Sequence, residues 1–225
     1  MRGSRRRRSR PIERAYDRRD VRVVDASWHM PAAQREQYLG VALRQSEHLA
    51  TLIDELFELA KLDFKGVELQ REPFCLADLA SDVMHKFQLD AQARQVTLAV
   101  EAAPGLPWVD ADLSLIERVL DNLVGNALRH TPPGGCVSLR ATAADGAVRA
   151  EVCDTGCGIA AADLPHIFDR FYRGRDGKGS GSTGLGLAIT KRILELHGVC
   201  VQVDSRAGEG ACFGFSLPTA SPPPR

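Results

Sequence analysis

Asn122 and Asn126 are the residues whose type and spacing first suggest chemistry. They stand at i and i+4, so a helix through them places both carboxamides on one face. A carboxamide oxygen is a hard ligand. A hard cation such as Mg²⁺ is usually held by few protein ligands together with phosphate oxygens. Arg129 follows three residues on, placed for phosphate charge, with His130 beside it. The same pattern could be no more than a polar helix face.

Three further patterns follow in order. Asp154-Thr-Gly156-Cys-Gly158 comes directly after a strand-like run. Its carboxylate could accept a hydrogen bond from an exocyclic amine such as that of adenine. Its glycines would let backbone approach a ligand. Ile167-Phe168-Asp-Arg170-Phe171-Tyr172-Arg173 sets aromatics beside arginines, which could anchor a core and also reach phosphates. Gly181-Ser-Thr-Gly184-Leu185-Gly186 leads straight into a helical pattern. Free N–H groups at such a junction bind phosphate. No Gly-Lys-Ser/Thr follows, so it is not a Walker loop.

These patterns need elements to position them. Leu39, Ala42, Ser46, Leu49, Ile53, Leu56 and Ala60 recur at alternating intervals of three and four, a heptad seam over a helix of about 33–64. It is flanked by charged residues, among them Glu55 and Glu58. The face is wide enough for a helical bundle and calls for a partner; packing on the downstream domain is the less favoured alternative. Further helices are expected over 76–94, 113–128, 161–172 and 184–197. Strands are expected over 96–100, 136–143, 147–153, 199–204 and 211–217. The order predicts an α+β domain with a mixed or antiparallel sheet faced by helices on one side. Residues 1–30 and the tail 219–225 read as disordered, leaving 31–65 for the bundle helix and 72–218 for the domain.

Composition narrows the class. Basic and acidic residues number 29 each, yet residues 1–30 carry a net +6 and the remainder −6. The densest arginine run, 5–10, has no interleaved aromatics for base stacking, so no nucleic-acid partner is expected. No run of about 18 apolar residues and no secretory apolar stretch occurs, which places the chain in the cytoplasm. The six cysteines lack zinc-ligand spacing and read as reduced, mostly buried thiols rather than a disulfide framework.

In this order and context, the four patterns resemble the N, G1, F and G2 boxes of two-component sensor histidine kinases. Those belong to the ATPase superfamily shared with gyrase B and MutL. The flanks match too, from Arg118-Val119-Leu120 to Phe213 and Leu217-Pro218. The resemblance covers about 33–218. It implies a Bergerat-type ATP-binding α/β sandwich preceded by the second helix of a dimerisation bundle. It implies ATP and Mg²⁺ as ligands. Asn126 would hold the metal with Asn122 in support, and Arg129 and Arg173 would meet phosphate. His130 would lie beside adenine, and Asp154 would bind its amine in a pocket shaped by Gly156 and Gly158. Residues 173–183 would form a lid, with Gly184, Leu185 and Gly186 at its hinge. A response regulator and a homodimer through the helix 33–64, or a separate partner helix, are the implied partners.

The family's phosphoacceptor box is a histidine followed by an acid, with proline five residues after the histidine. None of the six histidines fits. His48 is followed by Leu49 and Ala50. The first bundle helix is therefore expected to be absent. Residues 1–30, with Met-Arg-Gly-Ser in front and His29-Met30 behind, read as a foreign or misread leader. Two other readings stay open: an anti-sigma-type serine kinase of the same fold, and a nucleotide-binding module that sequesters a partner without kinase activity.

Overall fold

The computed structural model describes residues 31–64, 66–174 and 182–221. The basic leader and most of the expected lid lie outside them. The chain divides into two compact units, Met1–Glu47 and His48–Arg225. In the first, the described residues are helical from Ala32 onward, and every one except Gly40 is exposed.

The helix α1 runs from Ala32 to Asp63. In the second unit its buried side is not the heptad seam. Leu52, Leu59 and Leu62 pack into the core, while Leu49, Ile53 and Leu56 are about half exposed. The stripe beside the seam wins because it also carries Glu58. That carboxylate accepts from Arg118 Nε on Oε1 at 3.1 Å and from Nη2 on Oε2 at 2.8 Å, a bidentate pair. Asp63 pairs with Arg192 at 3.1 Å and also with Arg170. The less favoured sequence reading, packing on the domain, thus holds for this half of the helix, through different residues.

The domain follows as β1 (Arg71–Phe74), α2 (Leu76–Lys86), α3 (Gln88–Arg94), β2 (Thr97–Ala102), β3 (Trp108–Asp112), α4 (Leu113–His130), β4 (Cys136–Ala144), β5 (Ala147–Asp154), α5 (Gly186–Leu196), β6 (Gln202–Ser205) and β7 (Ala211–Ala220). The strands form one sheet in the order β1-β3-β7-β5-β4-β2, with β6 also on β7. Among the described residues, only β2 and β4 run parallel. The sheet is mixed, and helices cover one face. Alternation decides which face that is: Val148, Ala150 and Val152 of β5 and Phe213, Phe215 and Leu217 of β7 are buried.

Several expectations needed correction. The helix expected over 76–94 breaks at Phe87, where α2 ends and α3 begins. The helix expected over 161–172 is a single 3-10 turn, Leu164–His166, with proline at its start. Trp108–Asp112 is a strand hidden in the sequence by the adjoining proline-rich turn and helix. The last strand runs on to Ala220, so residues 219 and 220, expected in the tail, belong to the sheet. Ala147 pairs with Pro218, and Val109 then pairs with Thr219. Proline stands where β7 changes partner.

The cysteines also differ. Cys153 and Cys212 face each other across β5 and β7 and are bonded, S–S 2.00 Å. They are 59 residues apart in sequence, so linear spacing could not pair them; strand register does. Cys157 and Cys200 are exposed and Cys75 and Cys136 half-buried.

His197 ties the sheet to α4. It is buried, 6% exposed. Its Nδ1 donates to the Ile193 carbonyl at 2.8 Å, so the neutral ring presents Nε2 to accept from Asp112 N at 3.1 Å. Asp112 caps α4, accepting from Leu115 N and Ser114 Oγ. Burial lowers the His197 pKa, and nearby Arg71 adds to this. Burial also pushes the Asp112 carboxyl up, but hydrogen bonds from Ser114, Gln70 and Leu115 outweigh it and hold the pKa below the usual range. Below about pH 6.5 the unfolded chain takes up a proton at His197 that the folded one resists. Stability should be full above that pH and fall as pH drops toward the lowered folded value. Thermal melts at pH 7.5 and 5.5 should show this loss, and His197→Ala should be less stable at pH 7.5 by about 1–3 kcal/mol with a smaller acid-induced drop. An unchanged drop in the variant would refute the assignment.

Candidate functional site

Helix α4 does two jobs. Ile116, Val119, Leu120, Leu123, Val124, Ala127 and Leu128 are buried against the sheet. The opposite face carries Arg118, Asn122, Asn126 and Arg129, which line a cavity of about 570 Å³. The 3.6-residue period makes both faces from one sequence.

One end of the cavity is built by the turn after β5. Asp154 Oδ1 accepts from Gly156 N at 2.8 Å and from Ala211 N at 3.3 Å. These bonds fix the carboxylate at the cavity wall. Burial nonetheless raises its pKa, against the opposing effects of Gly156, Ala211 and His130. Gly158 has φ +65° and a Cβ there would meet the Arg206 carbonyl at 1.9 Å, so only glycine fits. Gly158 lines the cavity; Gly156 acts through its N–H instead. His130 also lines this end. Although the residue is exposed, partial burial, together with neighbouring Arg129, lowers its pKa.

The other end is built by the loop before α5. Asn122 Nδ2 donates to the Gly186 carbonyl at 3.2 Å. That bond joins α4 to the first residue of α5. Gly184 has φ +74°, and a Cβ there would lie 2.9 Å from the Phe171 Cα. Phe171 N donates to the Gly184 carbonyl at 2.9 Å, so the two ends of the expected lid are tied together. Arg173, Gly184 and Gly186 line the cavity. Leu185 does not. Its side chain is fully buried in the core, which corrects its placement among ligand contacts; its N–H donates to Thr183 Oγ1 at 3.2 Å.

The sequence patterns missed part of the wall. Thr51 and Glu55 of α1, Lys86 and Phe87 at the α2–α3 break, Arg118 and Asp163 all line the cavity. Lys86 pairs with Glu117 and, at 3.6 Å, with Asp121. The hydrogen bond to Glu117 leads in raising the Lys86 pKa. Burial raises that of Asp121. Asp163 accepts from the Tyr172 hydroxyl at 2.8 Å. The signal that could have found Glu55 was its position one helical turn before Leu59, on the stripe adjoining the seam.

Residues 111–221 match the family model described as histidine kinase-, DNA gyrase B-, and HSP90-like ATPase. This part of the chain belongs to that ATPase family. It is 42% identical over 175 residues to the sensor protein DivL of Caulobacter vibrioides, covering 78% of this chain and 22% of DivL. It is 36% identical to the sensor histidine kinase RppB of a Synechocystis species, covering 89% of this chain and 44% of RppB. The chain therefore spans less than half the length of these relatives. Among solved structures, full-length ShkA in complex with AMPPNP superposes with a TM-score of 0.73 at 34% identity, over 87% of this chain and 42% of ShkA. The catalytic domain of the histidine kinase ThkA superposes at 0.60 with 28% identity, over 67% of this chain and 96% of that one.

Proposed function

We propose that this histidine kinase-type domain binds ATP with Mg²⁺ and delivers the γ-phosphoryl group to a histidine in two-component signalling. The observation that carries the reading is the Asp154 carboxylate. Two backbone N–H groups hold its Oδ1 at one end of a cavity whose floor then presents Asn126 and Arg129. An exocyclic amine at that end would leave the phosphates along α4. The AMPPNP in the related ShkA structure supports an adenine nucleotide here.

Asn126 would hold Mg²⁺. Among the described residues no cluster of three or more His, Cys, Asp or Glu could hold a metal ion. A single carboxamide oxygen sharing the cation with phosphates fits that donor set. When bound, the cation would neutralise phosphate charge. The chain's own residues bind and orient. Asp154 and His130 hold the base end, Arg129 and Arg173 face phosphate, and Asn122 fixes the hinge at Gly186. In the transfer, a histidine nitrogen attacks the γ-phosphorus in line, the bond to the β-phosphate oxygen breaks, and ADP leaves. The phosphoryl group then passes to a response-regulator aspartate. Catalysis of this kind is positioning and charge stabilisation.

None of the six histidines here stands in a phosphoacceptor box, so the acceptor is a residue of another polypeptide segment. The apolar seam of α1, exposed at Leu39, Leu49, Ile53 and Leu56, fits a homodimer or a partner bundle helix. The chemistry would take place in the cytoplasm. No helix among the described residues is long and apolar enough to cross a membrane.

Calorimetric titration of ATP with Mg²⁺ should give binding in the unaltered chain and lose its Mg²⁺ dependence in Asn126→Ala. An unchanged affinity in the variant would remove Asn126 from the site. Incubated with labelled ATP, the chain should stay free of acid-labile phosphate and should label a separate histidine-containing bundle helix. Acid-labile, base-stable label on the chain itself would contradict this account of the acceptor.

A further inference from the structure

One wall of the nucleotide cavity comes from the long helix. Thr51 and Glu55 of α1 line it, within the same compact unit as the rest of the cavity. The Glu55 side chain is only 13% exposed, and its carboxylate lies 4.0 Å from Arg118 Nη2. It accepts a hydrogen bond from Thr183 Oγ1, the same hydroxyl that accepts from Leu185 N at the entry to α5. Burial lowers the Arg129 pKa, and the Glu55 charge opposes that shift.

Helix α4 serves as a ruler. His130 stands at the base end. Asn126 is about 6 Å further along and Arg118 about 18 Å, at 1.5 Å per residue. Glu55 lies 4.0 Å from Arg118 and lines the cavity together with Asn122 and Asn126, so it faces the stretch of α4 that the phosphates would follow. Two of the cations that line this stretch are already engaged. Arg118 is held bidentately by Glu58, and Lys86 is held by Glu117 and Asp121. A third phosphate would bring further negative charge toward a nearly buried carboxylate, where repulsion is weakly screened.

We propose that Glu55 is a specificity-determining residue of the cavity. It weights the site against the third phosphate, so that the docked helix favours ADP relative to ATP. A triphosphate is accommodated best when the Glu55 carboxylate leaves Thr183 and Arg118. The position of α1, the Thr183–Leu185 entry to α5 and the number of phosphates are then linked through one side chain. The inference rests on the ATP reading above.

The test is calorimetric titration of ADP and of ATP, each with Mg²⁺, into the full chain, Glu55→Gln and Asp54→Asn. Glu55→Gln keeps the size of the side chain and removes its charge. Asp54→Asn removes the same charge from an exposed position of α1. The ratio of ATP to ADP affinity should rise about tenfold in Glu55→Gln and stay at the unaltered value in Asp54→Asn. An unchanged ratio in Glu55→Gln would overturn the proposal, as would an equal rise in Asp54→Asn, which would make net charge the cause. Loss of both affinities in Glu55→Gln would overturn it too, by making Glu55 a support of the site. Failure of the unaltered chain to bind either nucleotide would instead remove the ATP reading, and the proposal with it.

Discussion

The burial of one face of α4 against the sheet is the interaction on which the rest depends. Seven apolar side chains from Ile116 to Leu128 are buried there. Full burial of a leucine-sized side chain is worth about 1.5–3 kcal/mol, so the helix has little freedom to rotate. Rotation is what would spoil the site, because Arg118, Asn122, Asn126 and Arg129 occupy the face directly behind that stripe. The cap at Asp112 and the buried His197 fix the start of the same helix. The core therefore sets the direction in which the polar face points, before any ligand is present.

Around this helix the remaining walls are loops held by backbone hydrogen bonds. The turn at Asp154 is pinned by Gly156 and Ala211, and the hinge at Gly184 by Phe171. Loops of this kind can be positioned by a rigid scaffold and still change shape. The long helix contributes the last wall. Its carboxylates at Glu55, Glu58 and Asp63 meet Thr183, Arg118, Arg170 and Arg192. A helix that reads in isolation as a bundle strand of a dimer is also part of the cavity.

Much of this was legible in the sequence because it depends on local spacing. The i, i+4 asparagines, the glycine turn after a strand and the glycine loop before a helix each state their geometry within a few residues. Alternation marked β4, β5 and β7 as strands of a mixed or antiparallel sheet; the parallel pairing of β2 with β4 is what makes it mixed. What stayed hidden depends on contacts distant in sequence. The bond between Cys153 and Cys212 follows from strand register. The Glu58–Arg118 pair spans 60 residues, and on the sequence alone Glu58 is one charged flank of a heptad among several. Leu185 sits inside a glycine motif yet belongs to the core, because the first turn of α5 must be anchored as well as open. The strand Trp108–Asp112 was masked by its neighbours: a proline turn before it and a helix cap that is also its last residue.

The central claim is that the Asp154 end of the cavity receives the base of an adenine nucleotide. The most direct measurement is the affinity for ATP and for GTP under the same conditions with Mg²⁺. A carboxylate accepts a hydrogen bond from the exocyclic amine of adenine and faces an oxygen in guanine, leaving a buried acceptor unpaired. The account predicts that ATP binds and that GTP binds at least about a hundredfold more weakly. Equal affinity for the two would contradict it.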